Sequence, residues 1–167
     1  MAKKQRLLLP LFRPVRYRLE LSLRRQQWEG RLRLSGHKTG RPSHRLTLHA
    51  KGLEILQAEL EHHGKKGTRR ISAARINHHR SFEEVRLHTV EALYPGAYNL
   101  NLAYQSRPQR PAAKLARLKS LKAAYTGLAP SELLAGIAGR ELLPCIDEPQ
   151  AAADFSIRLT AKNKHEV

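Results

Sequence analysis

The feature that most limits what this chain can fold into is a period-two alternation of apolar and polar residues over its first hundred positions. The alternation begins with four apolar residues two apart, separated by charged or polar ones: Tyr17, Leu19, Leu21 and Leu23. It is cleanest at 98–104, where tyrosines and leucines alternate with asparagine and alanine. Because successive side chains of a strand point to opposite faces, such runs are typical of half-buried strands.

Other runs between these two extend the pattern. Their inward residues are predicted to be Trp28, Gly30, Leu32, Leu34, Leu46, Leu48, Leu53, Ile55, Ile71, Ile76, Val85 and Leu87. Turn signals separate the runs at regular intervals, at 35–36, 40–43, 63–67 and 94–96. Short strands at this spacing, with no helical period between them, predict a mainly β fold, an antiparallel β-sandwich.

The composition and periodicity of the sequence change after residue 106. Residues 107–125 are rich in Ala, Leu, Lys and Arg, and four apolar residues share an imperfect helical face: Leu118, Leu121, Tyr125 and Leu128. We predict a basic insert near 107–128, either helical or a linker, and a second short helix from Pro130 to Gly139. A last strand places Phe155, Ile157 and Leu159 inward. The predicted domain covers 12–160, between a basic tail at 1–11 and a polar tail at 161–167.

The charge balance is strongly positive. Thirty-one Lys and Arg stand against fourteen Asp and Glu, a formal net charge of +17. Such a field favours contact with nucleic acid, anionic lipid or acidic protein. A solvated basic face, or a fragment separated from its acidic partner domain, explains the same balance. The alternation puts most of the cations on outward faces, which weakens the case for one dedicated groove.

A single cysteine excludes an internal disulfide and is typical of a reducing cytosol, so we expect a cytoplasmic protein. No apolar run approaches the ~18 residues of a membrane span. The start has a short apolar patch interrupted by Pro10 and Arg13, without a small-residue cleavage pattern, and predicts no signal peptide.

Motifs for metal or nucleophilic chemistry are missing from the sequence. The histidine pairs at 62–63 and 78–79 are adjacent, so on a regular strand neither can chelate one ion. There is no H-E-x-x-H, no C-x-x-C, no Walker spacing around the glycines of 63–70 and no nucleophile elbow. Few aromatic residues lie among the cations, so no stacking platform for single-stranded nucleic acid is predicted.

The stretch "LLPCIDEP" at 142–149 contains the only cysteine. A reactive thiol needs positive charge nearby, whereas Cys145 has Asp147 and Glu148 close in sequence, which raise its pKa. Two carboxylates are too few to form a cation site. Pro144 and Pro149 hold their predecessors extended, which favours a rigid structural connector.

The residues from 139 to 160 resemble the end of the N-terminal domain of the aminopeptidase N family of zinc metallopeptidases. That pattern is an Arg, then P-C-x-D-E-P, small residues and F-x-[ILV]-x-[ILV]. The residues in register are Arg140, Pro144, Cys145, Asp147, Glu148, Pro149, Phe155, Ile157 and Leu159. Earlier runs also resemble the family's opening P-x-x-Y-x-L-x-L, F-x-G-x-[VL]-x-[IL], [IL]-x-L-H-x-x-x-L-x-[IL] and P-G-x-Y segments. The resemblance implies a saddle-like, largely antiparallel β domain that packs over a separate catalytic domain.

Two departures from the family pattern bear on activity. The G-A-M-E-N and H-E-x-x-H motifs of the family's catalytic domain are absent here. The resemblance therefore implies zinc for that domain, no cofactor in this chain and no catalysis by this chain alone. The family has a Gln-x-Glu motif whose Glu holds the substrate's α-amino group. In this sequence the two motif positions are occupied by Leu133 and Ala135, and the nearby Glu132 lies one position before Leu133 and so out of register. No substrate-binding residue is therefore predicted.

Our leading hypothesis is a non-catalytic domain that covers and shapes the active-site cleft of a separate aminopeptidase catalytic domain, meeting peptide substrate only through it. The alternative is a basic β-sandwich that binds polyanions such as RNA, through 65–70 and 107–122. A third interpretation, a decayed copy without function, stays open.

Overall fold

The chain folds into two β-sheets that share one hydrophobic core. The computed structural model describes residues 6–24, 27–107, 124–128 and 139–161. Its strands are β1 Phe12–Leu23, β2 Trp28–Lys38, β3 Ser43–His49, β4 Leu53–Gly64, β5 Gly67–Ser72, β6 Arg75–His79, β7 Glu84–Leu93, β8 Gly96–Ser106, β9 Ala124–Leu128 and β10 Ala153–Ala161. A 3₁₀ turn spans Arg80–Phe82, and one short helix, α1, spans Gly139–Leu142.

The large sheet has seven strands in the order β5-β4-β8-β2-β1-β10-β9, and the small sheet has three in the order β3-β7-β6. The predicted mainly β, antiparallel sandwich is confirmed, with one difference. Strands β1 and β10 pair in parallel, from Arg16 opposite Asp154 to Leu23 opposite Ala161. A parallel neighbour requires a long crossover, and here the whole of β2 to β9 separates the two strands.

The core is formed by the inward-facing apolar residues of the alternating strands. In β1 the four predicted residues are buried at 0–4% exposure, while Arg18, Glu20 and Ser22 between them face solvent. Inward residues of β2, β4 and β8 meet those of β3 and β7 in one cluster. Leu46, Leu48, Val85 and Leu87 supply the small sheet's contribution. Burial of this apolar surface is the main favourable term in folding.

A close approach of backbone and ring explains Gly30 at an inward position. Gly30 lies opposite Tyr104 across β2 and β8. A Cβ atom at Gly30 would stand 2.3 Å from Cζ of that tyrosine. The glycine therefore leaves the space in which the Tyr104 ring is buried.

The helical expectation for the basic insert is wrong for its last five residues, which form β9. This strand pairs antiparallel with β10, with Ala124 opposite Ser156 and Leu128 opposite Ala153. Pairing with a neighbouring strand overrides the local alanine-rich composition, because ladder hydrogen bonds form between segments far apart in sequence. The rest of the insert, including Leu118 and Leu121, lies outside the described residues. Most of the predicted Pro130–Gly139 helix also lies outside them, and the observed helix begins where the predicted one ends.

Candidate functional site

The proline-bracketed stretch and the residues just before it are hydrogen-bonded to both sheets and to the beginning of the described chain. We define residues 139–149 as the exit segment. Its residues 142–148 are all buried. Cys145 forms an antiparallel bridge with His49 at the end of β3: the His49 N–H donates to the Cys145 carbonyl at 2.8 Å, and the Cys145 N–H donates to the His49 carbonyl at 3.0 Å. The segment is therefore hydrogen-bonded to the end of the small sheet.

Arg140 connects the two ends of the exit segment. Its Nε donates to Oδ2 of Asp147 at 2.9 Å and its Nη2 donates to the Asp147 carbonyl at 3.2 Å. Its Nη1 donates to Oε2 of Glu83 at 3.1 Å, and Lys51 contacts the other oxygen of Glu83 at 3.0 Å. Although burial opposes the shift, the ion pairs with Lys51 and Arg140 lower the pKa of Glu83.

Glu83 occupies an unusual backbone conformation. Its φ of 54° lies in the left-handed region, which carries a steric cost for a residue with a Cβ. Its carbonyl accepts from the Ala50 N–H at 2.8 Å, and its side chain bridges two cations. These contacts on both sides of the residue hold the conformation in place.

Asp147 and His49 form a second contact between the exit segment and β3. The Asp147 N–H donates to Nδ1 of His49 at 3.0 Å, so the imidazole proton is on Nε2. Burial, and next the charge of Arg140, lower the pKa of His49, which favours the neutral ring. Oδ1 of Asp147 is buried and has no hydrogen-bond partner within the described part of the chain.

The thiol of Cys145 is part of the core. It is fully buried, and burial raises its pKa well above the ordinary value, with the charge of Asp147 adding to the shift. The sequence expectation named the neighbouring carboxylates as the cause, whereas the structure makes burial the larger one. A buried neutral thiol is a poor nucleophile and a poor metal ligand.

Aromatic residues of the large sheet bind the exit segment from the other side, a role that sequence analysis did not assign to them. The Tyr17 hydroxyl accepts from the Ile146 N–H at 3.0 Å. The Tyr104 hydroxyl and the Trp28 indole both donate to the Leu142 carbonyl, at 2.9 and 3.2 Å. Only the polar tips of these otherwise apolar side chains hinted at such a role, since a buried O–H or N–H needs a partner.

Glu148 contacts the beginning of the described chain. Its carboxylate accepts from the backbone N–H groups of Leu8 and Leu9. Leu8 is fully buried. Leu8 and Leu9, placed by the sequence in a basic tail at 1–11, thus pack against the domain. Pro144 is buried and Pro149 is exposed, at the far end of the segment.

Comparisons with known proteins identify this arrangement. The family model described as the Peptidase M1 N-terminal domain matches residues 13–167. The chain belongs to that family. A comparison with curated proteins found no match.

Solved structures agree in fold. The M1 N-terminal domain described here is similar to an M1 zinc metallopeptidase mutant from Deinococcus radiodurans bound to a Tyr-Ser-Ala substrate, at 21% identity and a TM-score of 0.59. It is also similar to a second structure of an M1 zinc metallopeptidase mutant from that organism (21%, 0.57) and to a two-domain M1 zinc metallopeptidase mutant bound to L-arginine (22%, 0.57). In each case the match covers 90% of this chain and 32% of the other, so this chain spans about a third of those proteins.

The remaining sequence-predicted sites of the M1 N-terminal domain fall only partly within the described residues. Leu133 and Ala135 lie outside the described residues, as do residues 108–122 of the suggested polyanion surface. The loop at 65–70 is exposed at the turn between β4 and β5, and Arg69 there pairs with Glu91. The polyanion alternative therefore gains no support from the fold or from the comparisons.

The described residues form several surface concavities, of which two adjoin features discussed above. One, of about 500 Å³, lies on the outer face of the large sheet and is lined by both arginines and glutamates, including Arg18, Arg31 and Glu59. The other, of about 390 Å³, adjoins Glu83 and Lys51. No group of three or more His, Cys, Asp or Glu in the described ranges could hold a metal ion, so these residues do not fit zinc. None of the described helices is long and apolar enough to cross a membrane.

Proposed function

We propose that this domain packs against a separate zinc-containing catalytic domain, covers its active-site cleft and shapes access to it. The catalytic domain would remove N-terminal residues from peptides. The family match over residues 13–167 carries this proposal. The similar solved metallopeptidases, of which this chain spans about a third, support the idea that a larger assembly performs the chemistry.

The exit segment supports a structural role for this chain. Its carboxylates are used internally: Asp147 by Arg140, and Glu148 by the backbone of Leu8 and Leu9. Its thiol is buried and neutral. The side chains that distinguish the motif therefore stabilise the fold and leave peptide chemistry to the partner domain. The replacement of Gln-x-Glu by Leu133 and Ala135 implies that this chain contributes no carboxylate to the substrate's α-amino group.

An activity assay in two stages tests the proposal. The purified chain with zinc should not hydrolyse aminoacyl-naphthylamide substrates. An M1 catalytic domain from the same genome, expressed separately, should co-purify with the chain, and the chain should change its KM for peptides. Chelator-sensitive turnover by the chain alone, or failure of the two domains to associate, would contradict the proposal.

A cytoplasmic location is a second, independent proposal. It rests on the single, unpaired cysteine, which suits a reducing compartment. Fractionation of the source cells, followed by immunoblotting for the chain, tests it. Recovery of the chain outside the cytoplasm would contradict it.

A further inference from the structure

The face of the small sheet opposite the hydrophobic core carries polar and charged side chains, which are buried at the end formed by Thr47, His49 and Glu84 and at least partly exposed at the other end. The register places residues of β3, β7 and β6 in three rows across the sheet. From one end to the other, the rows are Arg45, His88 and Arg75; then Thr47, Arg86 and Asn77; then His49, Glu84 and His79. All nine alternate with residues such as Leu46 and Leu87, which enter the core.

The first row contains only cationic or titratable basic groups. Neighbouring strands are about 4.8 Å apart, so Arg45 and Arg75 stand about 10 Å from each other, on either side of His88. Neither arginine has an ion pair within the described ranges. Arg75 is exposed, and Arg45 and His88 are partly exposed. A pair of forked guanidinium groups at this separation can close on an anion placed over the imidazole.

The nearest carboxylate on this face belongs to Glu84, and it is already engaged. Glu84 is four residues along β7 from His88, about 13 Å away at the rise of a strand. Its side chain is 3% exposed and pairs with Arg86 at 3.2 Å. No carboxylate of this face forms an ion pair with the first row among the described residues, and the charge of Glu84 acts on Arg45 only as a weaker, indirect influence.

The electrostatic environment of His88 agrees with this geometry. Desolvation, and then the charges of Arg75, Arg45, Arg86 and His79, lower its pKa. Asn77 adds a neutral amide, whose Nδ2 lies 3.4 Å from Nε2 of His88. Like charges brought together on neighbouring strands are destabilising unless something between them compensates.

We propose that the row Arg45–His88–Arg75 binds a phosphate-class oxyanion. The two guanidinium groups hold the oxygens from either side, and His88 or the Asn77 amide donates from below. The rigid three-stranded ladder fixes the spacing of the donors before the anion arrives, which reduces the ordering cost of binding. This inference stands independently of the proposed domain–domain function.

The experiment titrates the full chain with inorganic phosphate and pyrophosphate by calorimetry, at constant ionic strength set with chloride. We expect saturable binding with a dissociation constant below about 1 mM. The variant Arg45→Gln/Arg75→Gln should weaken binding at least about tenfold. The variant Arg45→Lys/Arg75→Lys should fall between the two, because it keeps the charge and loses the fork.

The matched control is Arg18→Gln/Arg31→Gln, which removes two exposed arginines from the outer face of the large sheet. It lowers the net charge equally and should leave the dissociation constant within twofold of the parent value. Urea unfolding followed by Trp28 fluorescence checks that each variant is folded. Equal weakening in both double variants, weakening only in the control, or no saturable binding by the parent chain would overturn the proposal.

Discussion

Replacement of Arg140 by methionine should destabilise the domain far more than loss of an ordinary surface arginine. The side chains of Arg140 and Asp147 are 12% and 5% exposed, and their closest atoms are 2.9 Å apart. Methionine keeps much of the buried volume but leaves the Asp147 carboxylate without its cation. One oxygen of that carboxylate, Oδ1, already has no partner among the described residues.

The expected loss of unfolding free energy is about 3 kcal/mol, at the lower end of the range for removing one partner of a buried ion pair. With a urea dependence of about 2 kcal/mol per molar, the midpoint should fall by about 1.5 M. The probe is the single tryptophan, Trp28, whose indole donates to the Leu142 carbonyl inside the exit segment. Its fluorescence therefore reports unfolding at the place that the substitution perturbs.

Two further variants serve as controls for Arg140→Met. Arg158→Met removes an 80% exposed arginine that lies 3.8 Å from Glu20, and it should change stability by less than about 0.5 kcal/mol. The double variant Arg140→Met/Asp147→Asn should be more stable than Arg140→Met alone, because it also removes the buried charge. If Arg140→Met and Arg158→Met unfold at the same urea concentration, the account of the exit segment is wrong.

Three further predictions follow from the same contacts. Gly30→Ala should cost about 1–3 kcal/mol of unfolding free energy in urea, because its Cβ overlaps the Tyr104 ring. The Cys145 thiol should react with a disulfide reagent only as fast as the domain unfolds, since it is buried and its pKa is raised. The folded-state pKa of His49 lies below the unfolded value of about 6.5, so the unfolded chain takes up the proton first. The free energy of unfolding should therefore fall as the pH drops below about 6.5, and His49→Gln should lose that part of the slope.

Two of these predictions have a control variant in the same chain. Gly64→Ala, at a position with no heavy atom closer than 3.8 Å to the added Cβ, should be close to neutral. His37→Gln, at an exposed site on β2, should keep the pH slope of the parent protein. A thiol that is fully modified while Trp28 fluorescence is unchanged would contradict the buried position of Cys145. If the free energy of unfolding of His49→Gln varies with pH as that of the parent protein does, His49 does not contribute to the pH dependence.

Much of the fold was predictable because strand periodicity is local. Alternation assigned Tyr17 and Leu19 to the core, and proline and glycine marked the turns between strands. The insert was harder, because the strand at 124–128 depends on a partner at 153–156 that local composition does not reveal. The parallel pairing of β1 and β10 was missed for the same reason, since alternation shows a strand but not its neighbour or direction.

The sequence alone determined that the chain forms half-buried strands, and that its cysteine lies in a rigid stretch unsuited to reactivity. Only the tertiary structure decided which groups pair with the polar atoms of that stretch. Arg140 pairs with Asp147, the backbone of Leu8 and Leu9 donates to Glu148, and the Tyr17 hydroxyl accepts from Ile146. Only the register of the small sheet brought Arg45, His88 and Arg75 into one row. Periodicity acts over neighbouring residues, whereas ion pairs and registers join residues tens of positions apart, and these become fixed when the sheets pack.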